Sequence, residues 1–196
     1  MTATPLTETR SGTGAVSGLV PGTWNIDPSH SQVGFTVRHL MVSKVRGEFS
    51  GFSGAVTIAE DLLASSVSAE VDVASVSTRD AGRDEHLRSS DFFAIEDHPT
   101  WSFRSTGIGA TSDPSEYVLR GDLTLRGVTR PVEFALEVHG VSPDPWGGTR
   151  AGFTATTKVN RKDYGIDWNL PVDGGGVVVG DKVEITLEIE AVLATS

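Results

Sequence analysis

Apolar and polar residues alternate with a period of two along most of this chain. In SHSQVGFTVRHL, residues 29–40, Val33, Phe35 and Val37 share one side of an extended backbone, and Gly34, Thr36 and Arg38 share the other. In SSVSAEVDVASVS, Val67, Ala69, Val71 and Val73 oppose Ser68, Glu70 and Asp72. PVEFALEVHG sets Val132, Phe134, Leu136 and Val138 against Glu133, Glu137 and His139. DKVEITLEIEAV is the cleanest case, with Val183, Ile185, Leu187, Ile189 and Ala191 opposite Glu184, Thr186, Glu188 and Glu190. Such alternation is the signature of strands with one buried face. Some nine or ten candidates separated by short turns predict an all-β barrel or sandwich.

Glycine and proline punctuate this pattern. Gly121 falls among the inward residues of YVLRGDLTLRG, where a glycine marks a sharp bend. Gly47, Gly51 and Gly54 suit a hairpin or bulge, Pro131 is expected to open a strand, and VDGGGVVVGDKV reads as a flexible connection. One segment breaks the alternation. STRDAGRDEHLRSSDFF, residues 77–93, is charge-rich and predicts a short helix capped by Thr78 or Asp80, with Arg88 near its end. Leu87, Phe92 and Phe93 would dock it on the sheet, and Pro99 would end it before a strand beginning at Trp101 and Phe103.

The 196 residues suffice for one domain with a substantial core. Lys and Arg total 16 against 26 Asp and Glu, so the formal charge is −10 and nucleic acid is excluded as an expected partner, since phosphate binding needs a basic surface. No cysteine is present, which removes disulfide and thiolate chemistry. Residues 1–22 are small, hydroxylic and glycine-rich and read as a disordered tail before a domain over 23–196. They lack the apolar stretch of a secretory signal, and no run approaches the ~20 apolar residues of a membrane span, so the expected location is cytoplasmic.

Catalytic motifs are missing. There is no G-x-S-x-G elbow and no phosphate loop. His30, His39, His86, His98 and His139 are too scattered to make a metal motif, and the grouping of His86 with Asp84, Glu85 and Asp91 reads as a solvated charged face, so no metal and no required cofactor are expected. A carrier needs a cavity rather than a reactive side chain, and a closed sheet of about eight strands encloses one small ligand. Alternation fits a lined hollow and a filled core equally well.

Several strings resemble one family. WNIDPSHSQVGFTVRHLMVSKVRGEFSGFSG, TRDAGRDEHLRSSDFFAIEDHPTWSF, GDLTLRGVTRPVEF and DYGIDW followed by VGDKVEITLEIEA resemble, in wording, order and spacing, the YceI-like polyisoprenoid-binding proteins over roughly residues 23–193. The DPSHS opening and the R-D-x-H-L segment with its D-F-F are the most specific parts. The segment RDAGRDEHLR aligns by either of its Arg-Asp pairs. The resemblance implies a lipocalin-like antiparallel barrel of about eight strands holding an isoprenoid or similar amphiphile, a prenyl diphosphate or prenyl quinone in type. Many relatives carry a leader peptide and many pair as dimers, so a homodimer is a further implied possibility.

Under that resemblance, Phe35, Val37, Phe49, Trp101, Phe103, Phe134 and Phe153 are expected to line the interior, each lying on the apolar side of its strand. His39, next on the apolar side after Val37, is expected at a rim, orienting a ligand's polar head with Arg79, Arg83 or His86. Two other readings stand beside this one. A barrel isomerase or cyclase would use His39 with Asp163 or Tyr164 as acid and base. A stress-related interaction module would have a solid core.

Overall fold

The computed structural model describes residues 18–40, 42–172 and 176–195. Thirteen strands and one helix follow one another along these residues. They are β1 (Gly22–Ile26), β2 (Gln32–His39), β3 (Ser43–Phe49), β4 (Phe52–Ile58), β5 (Ser66–Asp72), β6 (Val76–Ser77), α1 (Ala81–Arg88), β7 (Thr100–Ala110), β8 (Glu116–Leu125), β9 (Val128–Pro143), β10 (Thr149–Asn160), β11 (Pro171–Val172), β12 (Gly176–Val177) and β13 (Val179–Leu193).

All pairings are antiparallel, as the one-sided alternation requires. The ladders run β1-β4-β5-β7-β8-β9-β10-β13, and β13 pairs back to β1, so eight strands close into a barrel. Strand β13 carries two partners in succession. Its residues 183–188 pair with β2, and its residues 191–193 pair with β1. Strands β1 and β2 thus form one wall element interrupted at Asp27–Ser31, where the Asp27 side chain caps a 3-10 turn by accepting from the Ser29 N–H. Strand β3 continues past the wall beside β2 and pairs with β6.

The helix forms where the alternation fails. Asp80 caps it by accepting from the Arg83 N–H, while Thr78 serves Asp84, whose buried carboxylate accepts from the Thr78 N–H at 2.7 Å and its hydroxyl at 2.5 Å. Leu87, Phe92 and Phe93 pack with Phe49, Val73, Val76 and Ile166 across one end of the barrel, here the helix end. Two arginines fasten this cap. Arg88 donates to the carbonyls of Ala74 and Val76, and Arg126 in the β8–β9 turn donates to those of Ser90 and Gly165. Trp24, Val56, Ile58, Tyr117, Val138 and Phe153 form the cluster at the far end.

Four sequence expectations change in detail. Pro131 lies inside β9 rather than at its start, paired with Asp122. The β9–β10 ladder begins only at Ala135, so the missing N–H of Pro131 leaves no neighbouring strand unserved. Gly121 answers to crowding as well as bending, because the Phe103 ring and the Arg104 carbonyl occupy the space of its absent Cβ. Strand β13 starts at Val179, ahead of the clean alternation, with an irregularity between Val179 and Val183. The expected tail falls outside the described residues up to 17, but Leu19 packs on the far-end cluster and the Val20 carbonyl accepts from the fully buried Trp24 indole N–H at 3.1 Å.

Candidate functional site

Inward residues in a filled barrel would be sealed. Here Val33, Phe35 and Val37 on β2 and Ile185, Leu187 and Ile189 on β13 face inward yet keep partial exposure, because they border a hollow. The cavity measures about 260 Å³ and runs between the two end clusters, from Leu87, Phe92 and Phe93 to Leu19, Ile58 and Leu62. Its wall is almost entirely hydrocarbon. At about 24 cal/mol per Å³, unfilled apolar space of this size forgoes about 6 kcal/mol of packing.

Phe35, Val37, Phe49, Trp101, Phe103, Phe134 and Phe153 all line this cavity. Edge-on and tilted ring pairs hold several of them. Phe49 meets Trp101 at 5.2 Å between centroids, Phe93 meets Trp101 at 4.7 Å, and Phe103 meets Phe134 at 5.4 Å. These geometries match the preference of aromatic quadrupoles and stiffen the wall. The Trp101 indole N–H is buried and has no hydrogen-bond partner among the described residues.

The polar residues expected at a rim do not converge on the cavity. His39 pairs with Ser43 and Val179 and lies beyond Val37, the last lining residue of β2, and its ring makes no hydrogen bond to a described residue. Arg79 sits at a turn with φ of 63°. Arg83 spends its donors on Thr78, from Nε to the hydroxyl at 2.7 Å and from the guanidinium to the carbonyl at 2.9 Å. His86 lies 2.9 Å from the Asp91 carboxylate and edge-on to Phe92 and Trp168. None of the four lines the cavity. No hydrogen bond or ion pair joins His39 to Asp163 or Tyr164, and burial pushes the Tyr164 hydroxyl up to about 12, away from acid–base work near neutrality.

One charged residue of the wall was missed in the sequence. Arg161 is 4% exposed and lines the cavity at the helix end. Its guanidinium donates to the carbonyls of Gly180, Ile166, Trp168 and Val179, and lies 3.5 Å from Asp181. Burial lowers its pKa, opposed by the charges of Asp181 and Asp167. Its donors serve the 166–180 backbone, so this guanidinium is not free to meet a ligand. The signal was available, since Phe153, Ala155, Val159 and Arg161 share one parity along β10 and its continuation.

Asp27, His30 and Glu190 lie close enough to hold a metal ion. Arg150 already occupies that ground, donating to Asp27 at 2.6 Å, to Glu190 at 2.5 Å and to Asp144 at 3.1 Å. The guanidinium holds Asp27 down to about 2, with His30 and the Ser29 N–H adding to the effect. The donor set is that of an ion-pair network rather than of a metal centre.

Comparison with known proteins agrees with this architecture. The UPF0312 protein of Photorhabdus laumondii is 41% identical over 147 residues, covering 74% of this chain and 76% of its own. A UPF0312 protein of Staphylococcus epidermidis is 36% identical over 169 residues, 85% of this chain and 95% of its own. Among solved structures, Burkholderia cenocepacia BcnA has a TM-score of 0.74 at 22% identity, covering 87% of this chain and 99% of its own. A polyisoprenoid-binding domain from Saccharophagus degradans, implicated in plant cell wall breakdown, has a TM-score of 0.66 at 14% identity over 89% of this chain and all of its own. At those identities the two structures speak for the fold alone. Residues 24–191 match the YceI-like domain, and the chain belongs to that family.

Proposed function

We propose that this protein binds an isoprenoid or similar amphipathic lipid inside its barrel, for transport, storage or sequestration. The observation that carries the reading is the apolar hollow of about 260 Å³, lined by side chains that would otherwise be sealed. It is larger than the roughly 150 Å³ engineered cavity that stays dry and takes up benzene. Burying ~20 carbons at ~0.8 kcal/mol each releases roughly 16 kcal/mol, against association costs of roughly 4–15 kcal/mol. Hydrocarbon alone can therefore hold the ligand, which suits a wall whose only buried cation among the described residues is spent on backbone carbonyls. A polyisoprenoid-binding domain shares this fold, which makes a prenyl chain the first ligand to test.

The test is organic extraction and mass spectrometry of protein purified without detergent. A long-chain prenyl lipid near one per protein is expected. Ala69 on β5 faces the hollow, so Ala69→Phe should cut occupancy about tenfold without lowering the unfolding temperature. Protein that carries no lipid and takes up no prenyl quinone when offered it would end the proposal.

A further inference from the structure

The β2–β3 hairpin continues past the wall at the helix end, and its tip is both greasy and cationic. Leu40 is 41% exposed and Val42 84%. Beside them stands the small β11–β12 sheet, whose flanks expose Leu170 at 52% and Val177 at 38%. The two parts are tied into one surface, because the Leu40 N–H donates to the Val178 carbonyl and the Val178 N–H donates to that of Leu170. Lone exposed apolar residues need no explanation, but four tied together at one tip do.

The charges around the tip are unusual for this chain. Arg38 on β2 pairs directly with Lys44 on β3, and Arg46 follows on the same outward face, paired with Thr36. All three are exposed and have no carboxylate partner among the described residues. Like charges directly opposite on a ladder are destabilising. A chain with a formal charge of −10 has acidic residues to spare, yet none lies between Ser29 and Gly47. The carboxylates on neighbouring strands are engaged elsewhere: Asp181 with Lys162 at 3.0 Å, Glu48 with Gln32 at 3.1 Å, and Glu184 with Lys158 at 3.8 Å. Among the described residues, no carboxylate relieves this repulsive cation pair.

We infer that the apolar tip at Leu40, Val42, Leu170 and Val177, with its rim of Arg38, Lys44 and Arg46, docks on a lipid bilayer that contains anionic headgroups. An apolar surface seated in the headgroup region together with adjacent cations is the combination that holds a peripheral protein on such a membrane. A second copy is the poorer occupant, because a two-fold contact through this tip would set the Arg38–Lys44 pair against itself. The position has a further consequence. Val37, Val179 and Val183 line the cavity and lie on the strands that carry the tip, so the docked surface continues the cavity wall. The inference goes beyond the lipid-binding reading and does not need it to hold.

Co-sedimentation of the full chain with vesicles tests it. The expected result is binding to phosphatidylcholine vesicles with about 30% phosphatidylglycerol, little binding to phosphatidylcholine alone, and loss as salt rises from ~0.1 M to ~1 M. Each cation near an anionic surface contributes about fivefold, so Arg38→Ala with Lys44→Ala should weaken binding roughly 25-fold. That pair should leave the unfolding temperature unchanged or raised, which separates lost docking from lost folding. Val42→Asp should abolish binding, and Trp146→Ala, at an 82% exposed site elsewhere, should not alter it. Absence of vesicle binding, binding indifferent to the double substitution, or a dimer in solution that depends on Val42 would each overturn the inference. Extracted lipid measured on the same preparations keeps the two questions apart, since bound prenyl lipid without vesicle binding defeats only the docking surface.

Discussion

Phe35 on β2 stands directly across from Gly47 on β3, and its ring occupies the space where a side chain at 47 would begin. Gly121 yields to Phe103 in the same way. Two of the rings bordering the hollow thus lie over positions that have no side chain of their own.

Gly47→Ala is expected to destabilise the protein by about 1–3 kcal/mol, because the ring must leave its rotamer or the strands must part. Phe35→Leu in the same chain should recover part of the loss. Urea unfolding of the two single variants and the double checks this, and additive losses would show that the two sites do not conflict.

Arg161→Met should cost about 3–5 kcal/mol, since it takes the guanidinium from the carbonyls of Ile166, Trp168 and Gly180, whereas the Val179 carbonyl keeps Asn169 and Asp181 keeps Lys162. Arg161→Lys should recover little, because an ammonium has fewer donors and no planar fork. Chemical denaturation measures both, and a neutral Arg161→Met would mean that the 166–180 segment does not hang on this side chain.

Stability should fall in acid through the Arg150 network. Asp27 is lowered from 3.8 to about 2, so it binds protons more weakly when folded than when unfolded. Its contribution is present in full above its unfolded pKa and is lost as pH drops through about 2. Asp144 is also lowered, chiefly by the Gly148 N–H, and adds in the same direction. Arg150→Ala should flatten the acid limb of a thermal-midpoint profile; an unchanged limb would place the acid sensitivity elsewhere.

At the alkaline end Tyr164 acts with the opposite sign. Its hydroxyl is raised to about 12 by burial, so the folded state holds that proton more tightly than the unfolded one. Stability is full below about 10 and declines as pH rises towards 12. Tyr164→Phe should remove this part of the alkaline loss, as read by thermal unfolding at several pH values.

The strands were legible because period-two alternation survives wherever one face is dry, and Phe134 or Ile185 announces its direction through its neighbours. The helix was legible through the loss of that period and through Asp80. The hollow was not legible, since Val37 and Leu187 read the same whether they meet a ligand or one another. His39 misled for a related reason. Parity gives the side of a strand but not the point at which the cavity stops, and the lining ends at Val37 on that strand. Arg83 and His86 lie near charged loops in sequence, but their partners Thr78 and Asp91 are local and turn them to structural bonds, while Arg79 sits at a turn away from the lining.

The ladder that joins Trp24 to Leu193 sets the first and last staves of the wall side by side. During synthesis the earlier strands must therefore wait, as an open sheet with two unsatisfied margins, until the final stave emerges. Such distant pairing makes for slow folding and leaves the nascent chain exposed to association with other chains. Deleting residues 191–193 should be far more harmful than their number suggests, because it removes the ladder by which the last stave holds the first.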